Sequence, residues 1–152
     1  MKRSDLAKKY FEEGYACSQA VALAFNDLVS LSKEEIINAT LPFGGGLGRL
    51  RLTCGAVSGM AFILGLIVSN GENTPENKMG TYEKTRMLCE EFEKTNNSLI
   101  CAELLAGAKL EVVKGGVPEA RTMKYYEVRP CGDLVASAAS ILEKYLIEQK
   151  II

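Results

Sequence analysis

Thr53-Cys54-Gly55-Ala56-Val57-Ser58-Gly59-Met60, followed by the apolar run Ala61 to Val68, is the stretch that decides the fold. Thr53 is a good helix cap, because its hydroxyl accepts from an orphan amide two or three residues on. Cys54 then falls in the first turn of the helix that follows, where unpaired amides and the positive end of the dipole favour thiolate over thiol. Gly55 and Gly59 are four apart, so they share a helix face on which another backbone can come close. The apolar segment from Gly55 to Ser69 is 15 residues long, and a bilayer span takes about 20. It reads as the central helix of a soluble bundle.

Outward from this stretch the chain reads as mostly helix. Upstream, Ser4 caps a first helix through Leu6, Tyr10 and Glu13, which Gly14 ends. A second begins near Cys17, with Ala20, Val21, Ala24, Phe25 and Leu28 on one inward face and Ser18 and Gln19 on the other side. Ser32 with Glu35 forms a capping box for a third helix, which Pro42 and the glycines Gly44 to Gly48 stop. Downstream, Thr74-Pro75 starts a helix running to about Lys94, with Tyr82, Thr85, Leu88, Cys89 and Phe92 inward. Ser98 caps a short helix that ends at Gly107, and Leu134 to Leu146 form the stripe of a last one. Between them, Lys109 to Pro130 carries little period; Gly115-Gly116 is a turn and Pro118 to Tyr126 is assigned a helix. No strand alternation persists, so the expectation is all-α: a compact single-domain bundle of about six helices over residues 1–152.

Composition narrows the chemistry. A net charge of −1 gives no pull toward nucleic acid or an anionic membrane. Histidine is absent, which removes His-ligated haem, Cys/His zinc sites and every triad that needs imidazole. The N-terminus has no apolar core of a secretory signal. The expected compartment is the cytoplasm, where five cysteines are reduced, metal-bound or redox-active rather than structurally paired. Carboxylates are scattered over exposed faces, so no catalytic residue is named.

Cys17, Cys54, Cys101 and Cys131 each open a helix and turn inward, as the apolar residues three and four positions on indicate. Cys89 lies deep within its helix and reads as a plain buried thiol. Inward cysteines are often only core, and spacings of 37, 47 and 30 residues contain no C-x-x-C pair. A site must be assembled by folding. The glycine run reads as a turn rather than a phosphate loop, since no strand precedes it and no Gly-Lys-Ser/Thr follows. Arg49 and Arg51 offset thiolate charge or are solvated loop residues, the second being more frequent.

Gly14-Tyr15-Ala16-Cys17-Ser18-Gln19-Ala20-Val21, Gly44-Gly45-Gly46-Leu47-Gly48 and Cys54-Gly55-Ala56-Val57-Ser58-Gly59 resemble the opening half of the C_GCAxxG_C_C family. Phe92, Ser98, Cys101, Glu103-Leu104-Leu105 and Gly107 are similar to its third cysteine block, and Cys131 with Leu134-Val135 to its fourth. The resemblance covers nearly the whole chain. It implies a redox-active protein holding a prosthetic group such as an iron–sulfur cluster, with the family cysteines at Cys17, Cys54, Cys101 and Cys131 and no counterpart for Cys89. Some related domains are labelled split-Soret-type cytochromes, but nothing here resembles a haem attachment site. Ala102 departs from the family, in which a basic residue often follows the third cysteine and offers a thiolate a charge partner; Asn96-Asn97 stand where a glycine is usual.

Three functions follow from the residues and the resemblance. The first is a metal-cofactor protein in which the four cysteines ligate an iron–sulfur cluster for electron transfer. The second is a thiol–disulfide oxidoreductase using a pair such as Cys54 with Cys17 or Cys131. The third is a structural helical domain, with zinc on the cysteines or with no site. The expected partner is a redox protein of unspecified identity, with no nucleic acid and no membrane; enzyme or carrier, and monomer or homo-oligomer, stay open.

Overall fold

Eight α-helices make up the chain in the computed structural model, which describes residues 1–152. They are α1 (Arg3–Glu12), α2 (Cys17–Leu23), α3 (Lys33–Thr40), α4 (Gly55–Val68), α5 (Pro75–Asn96), α6 (Cys101–Gly107), α7 (Met123–Val128) and α8 (Cys131–Glu148). Two 3-10 turns, Asn26–Leu28 and Leu41–Phe43, punctuate the first half. The all-α expectation holds. About six helices is an undercount; α2, α6 and α7 have only six or seven residues each. No helix is long and apolar enough to cross a membrane.

Local sequence explains most boundaries. Ser32 Oγ accepts from the Glu35 amide (3.1 Å) while Glu35 Oε1 accepts from the Ser32 amide (3.0 Å), the reciprocal box expected at the start of α3. Thr74 caps α5 by accepting from the Asn77 amide, with Pro75 at its first helical position. Gly14, at φ +104°, turns the chain out of α1. At the start of α4 the cap is Cys54 itself, one residue later than expected, and Thr53 supplies no capping bond.

α2 and α4 sit at the middle. α4 packs along α2, α8 closes over both, and α1 runs beside α8. Phe11, Phe25, Ile36, Met60, Ile63 and Leu142 are fully or almost fully buried between them, each contributing roughly 1.5–3 kcal/mol of apolar burial. The outer side expected for α2 does not exist. Ser18 and Gln19 are buried, and their polarity is absorbed by α3: Ser18 Oγ donates to the Thr40 carbonyl (2.7 Å) and Gln19 Nε2 to the Ile37 carbonyl (2.9 Å). The buried residues of α5, Leu88 and Phe92, both lie in its second half. Tyr82, expected inward, is exposed.

Candidate functional site

The loop before α4 and the loop before α6 pair edge to edge. Thr53 and Ile100 form the one β-bridge, the Cys54 amide donates to the Leu99 carbonyl (2.7 Å), and the Cys101 amide donates to the Leu52 carbonyl (2.6 Å). Two helix starts separated by 47 residues in the chain are thereby fixed side by side. Gly59 brings the start of α2 against them. A methyl there would lie 2.5 Å from the Ser18 carbonyl oxygen, so only glycine lets the α2 backbone settle on α4. A methyl at Gly55 would collide with the Cys17 sulfur. The two glycines of the CGAxxG block thus make room for the Cys17 end of α2.

Cys17, Cys54, Cys101 and Cys131 all line one cavity of about 310 Å³. Cys17, Cys101 and Cys131 are the first residues of α2, α6 and α8, and Cys54 is the N-cap of α4. Cys89 lies in the middle of α5, half-buried and outside this cavity. None of the five is in a disulfide. No three Cys, Asp or Glu side chains form a group that could hold a metal ion.

The amides of Ala56 and Val57 beside Cys54, and of Gly45 and Ser18 beside Cys17, favour the thiolate, but the Cys54 side chain makes no helix-capping hydrogen bond. They do not win. Burial pushes the Cys54 thiol well above its ordinary value, and the neighbouring charge of Cys17 adds to the rise. Burial likewise raises Cys17, against the Gly45 amide. Cys131 is pushed up to about 12 by burial and by the charge of Cys17, with Arg129 working the other way. The expectation that the dipole makes Cys54 a thiolate is therefore corrected: desolvation of the buried sulfur outweighs the pull of the nearby amides.

The glycine run follows a left-handed path, with Gly45, Gly46, Leu47, Gly48 and Arg49 all between φ +57° and +75°. Leu47 and Arg49 cost about 1–2 kcal/mol each in this conformation. The path places Gly46 against Cys101, where a methyl would sit 2.7 Å from the Cys101 Cβ. It also turns Arg49 and Arg51 inward. Arg51 is 5% exposed, which settles the choice left open between charge partner and solvated loop residue. Its guanidinium donates to the Cys101 sulfur at 3.7 Å. The charge partner missing after the third cysteine, where Ala102 stands, is supplied from another loop.

The remaining wall comes from residues 109–130. Pro118 to Thr122, assigned a helix from sequence, is irregular, and α7 begins only at Met123. Glu119, Arg121 and Arg129 of this region line the cavity. Arg121 stacks over Phe11 (4.4 Å) and Tyr125 (4.9 Å) and donates to the Phe11 and Tyr15 carbonyls at 3.0 Å each. These three charged groups escaped the sequence reading, since no periodicity or motif marks them.

A family model described as "Putative redox-active protein (C_GCAxxG_C_C)" matches residues 15–145. The chain belongs to the C_GCAxxG_C_C family. The match takes in all four cavity cysteines and both glycines of the close approach, while α1 lies outside it. A redox role is thus the description attached to the C_GCAxxG_C_C chain as a class. Comparison with curated proteins and with solved structures gives no match.

Proposed function

We propose that Cys17, Cys54, Cys101 and Cys131 together hold an iron–sulfur cluster in the cavity and that the protein passes electrons through it. The observation that carries this reading is the convergence of four cysteines, dispersed over the whole chain, on a single cavity while the fifth is left out. Four thiolates are the usual ligand set of two-iron and four-iron clusters, which supply one-electron chemistry when bound.

The environment supports the same reading. Buried thiols pushed toward their neutral form are poor nucleophiles for disulfide exchange, whereas a coordinated thiol is deprotonated by its metal. The Arg51 guanidinium, which donates to the Cys101 sulfur, is a donor of the kind that tunes a cluster's potential through its sulfurs. Cys54→Ser and Cys89→Ser separate the readings in protein prepared under nitrogen. The first is expected to lose iron and acid-labile sulfide and the second to keep both; equal losses from the two would overturn the assignment.

A further inference from the structure

Three arginines from two separate parts of the chain close around one carboxylate at the edge of the cysteine cavity. Arg49 Nη1 meets Glu119 at 2.7 Å, Arg129 Nη2 at 3.0 Å and Arg51 Nη2 at 3.4 Å. The guanidinium side chains are 13%, 10% and 4% exposed, and Glu119 is the only acidic residue lining the cavity. Three buried positive charges therefore face a single negative one, and an uncompensated buried charge is costly. A cage with this excess is built for more negative charge than the fold itself delivers.

The delivering residue sits on an irregular segment. Glu119 sits on a stretch with no regular structure from residue 110 to 122, and its side chain is 35% exposed. Between residues 111 and 121 one backbone hydrogen bond ties this strap to the body, Gly115 amide to Arg49 carbonyl at 3.0 Å. The Nε groups of Arg49 and Arg51 add bonds to the Gly115 and Val113 carbonyls. Arg51 also bridges two places: Nη1 donates to the Cys101 sulfur and Nη2 reaches the Glu119 carboxylate. Whatever anionic group occupies the Glu119 position is thus one guanidinium away from a cysteine of the proposed redox site.

We propose that Arg49, Arg51 and Arg129 form a binding site for a small carboxylate-bearing molecule, and that Glu119 is a tethered carboxylate which a diffusible one displaces. That the bound molecule lies beside a redox centre rests on the redox reading above; that the cage binds a carboxylate does not. Planar guanidinium groups take carboxylates in paired hydrogen bonds, so the class of ligand follows from the class of side chain already seated there. A tethered competitor acts at a high effective concentration and masks the site.

Titration calorimetry with malonate on the reduced full chain, kept under nitrogen, tests this. Glu119→Gln removes the competitor, and malonate is expected to bind it at least about tenfold more tightly than the parent chain. Adding Arg129→Gln to that variant should abolish the binding, and the uncharged malonamide should not bind at all. Should Glu119→Gln fail to fold, Glu119→Asp withdraws the carboxylate by one methylene and should tighten malonate binding in the same direction. Equal affinity with and without the Glu119 carboxylate, binding that survives Arg129→Gln, or no saturable binding to any of these chains would each overturn the proposal. Iron measured on the same samples keeps the two claims apart: malonate binding without iron sinks the cluster and leaves the anion site standing.

Discussion

Gly59→Ala is the sharpest perturbation of the architecture that gathers the cysteines. The added methyl would meet the Ser18 carbonyl oxygen at 2.5 Å and the Ser18 Cα and carbonyl carbon at 3.2 Å, where ordinary contact is 3.4–4 Å. The obstacle is backbone, which cannot swing aside, so α2 and α4 must part by about 1 Å and lose contact along their shared face. Overpacking of this kind costs about 1–3 kcal/mol, and a rigid partner places it near the top of that range. Against this, alanine gains about 1 kcal/mol over glycine as a helix former. The net is a loss of about 2 kcal/mol, or a fall of roughly 4–8 °C in melting temperature for a chain of this size. Gly65 is the internal control. It lies in the same helix, and a methyl there meets nothing within 4 Å. Gly65→Ala keeps the propensity gain without the clash and should raise the melting temperature by roughly 2–4 °C. Thermal melts by circular dichroism read both. A Gly59→Ala protein melting at or above the parent temperature would refute the close-approach account of the CGAxxG block.

Other outcomes follow from the same contacts. Ser32→Ala breaks the capping box of α3 and should cost about 1 kcal/mol in a denaturant titration. In reduced, metal-free protein the buried thiols contribute to the stability at alkaline pH, since their folded pKa lies above the ordinary 9.0, Cys131 reaching about 12. The unfolded chain releases that proton first, so the contribution is complete below pH 9 and drains away between pH 9 and 12. Cys131→Ala should flatten this decline, which chemical denaturation across that pH range would reveal. In acid the sign reverses at Glu119. Burial alone would raise its pKa, but the hydrogen bond from Arg49 and the charge of Arg129 hold it at about 2, below the ordinary 4.5. The strap's tie is thus intact above pH 4.5 and lost as the pH falls toward 2, with amide exchange at residues 113–121 as the readout.

Much of this was written in local signals. The apolar run of α4, the Ser32–Glu35 box and the Thr74-Pro75 start each announce themselves in a few residues, and the structure keeps them. The placement of four cysteines at helix starts was legible for the same reason, since caps and apolar spacing fix where a helix begins. Their meeting in one cavity was expected from the family resemblance alone, because it depends on the pairing of residues 51–54 with 99–102 and on Gly59 against Ser18, contacts that no local pattern encodes. Ser18 and Gln19 misled for a related reason: polar side chains look like an outer face unless the carbonyls of α3 that accept from them are known. The dipole argument at Cys54 failed on magnitude, because burial exceeded what two amides return. Residues 109–130 stayed opaque because irregular backbone held by arginine side chains leaves no period to read.

The most direct test of the central claim is the iron and acid-labile sulfide content of the chain, made and handled under nitrogen, with its visible spectrum recorded before and after dithionite. A cluster held by Cys17, Cys54, Cys101 and Cys131 predicts iron and sulfide in equal amounts and a broad visible absorption that reduction bleaches. Colourless protein with neither element, in which all five cysteines titrate as free thiols, would contradict it.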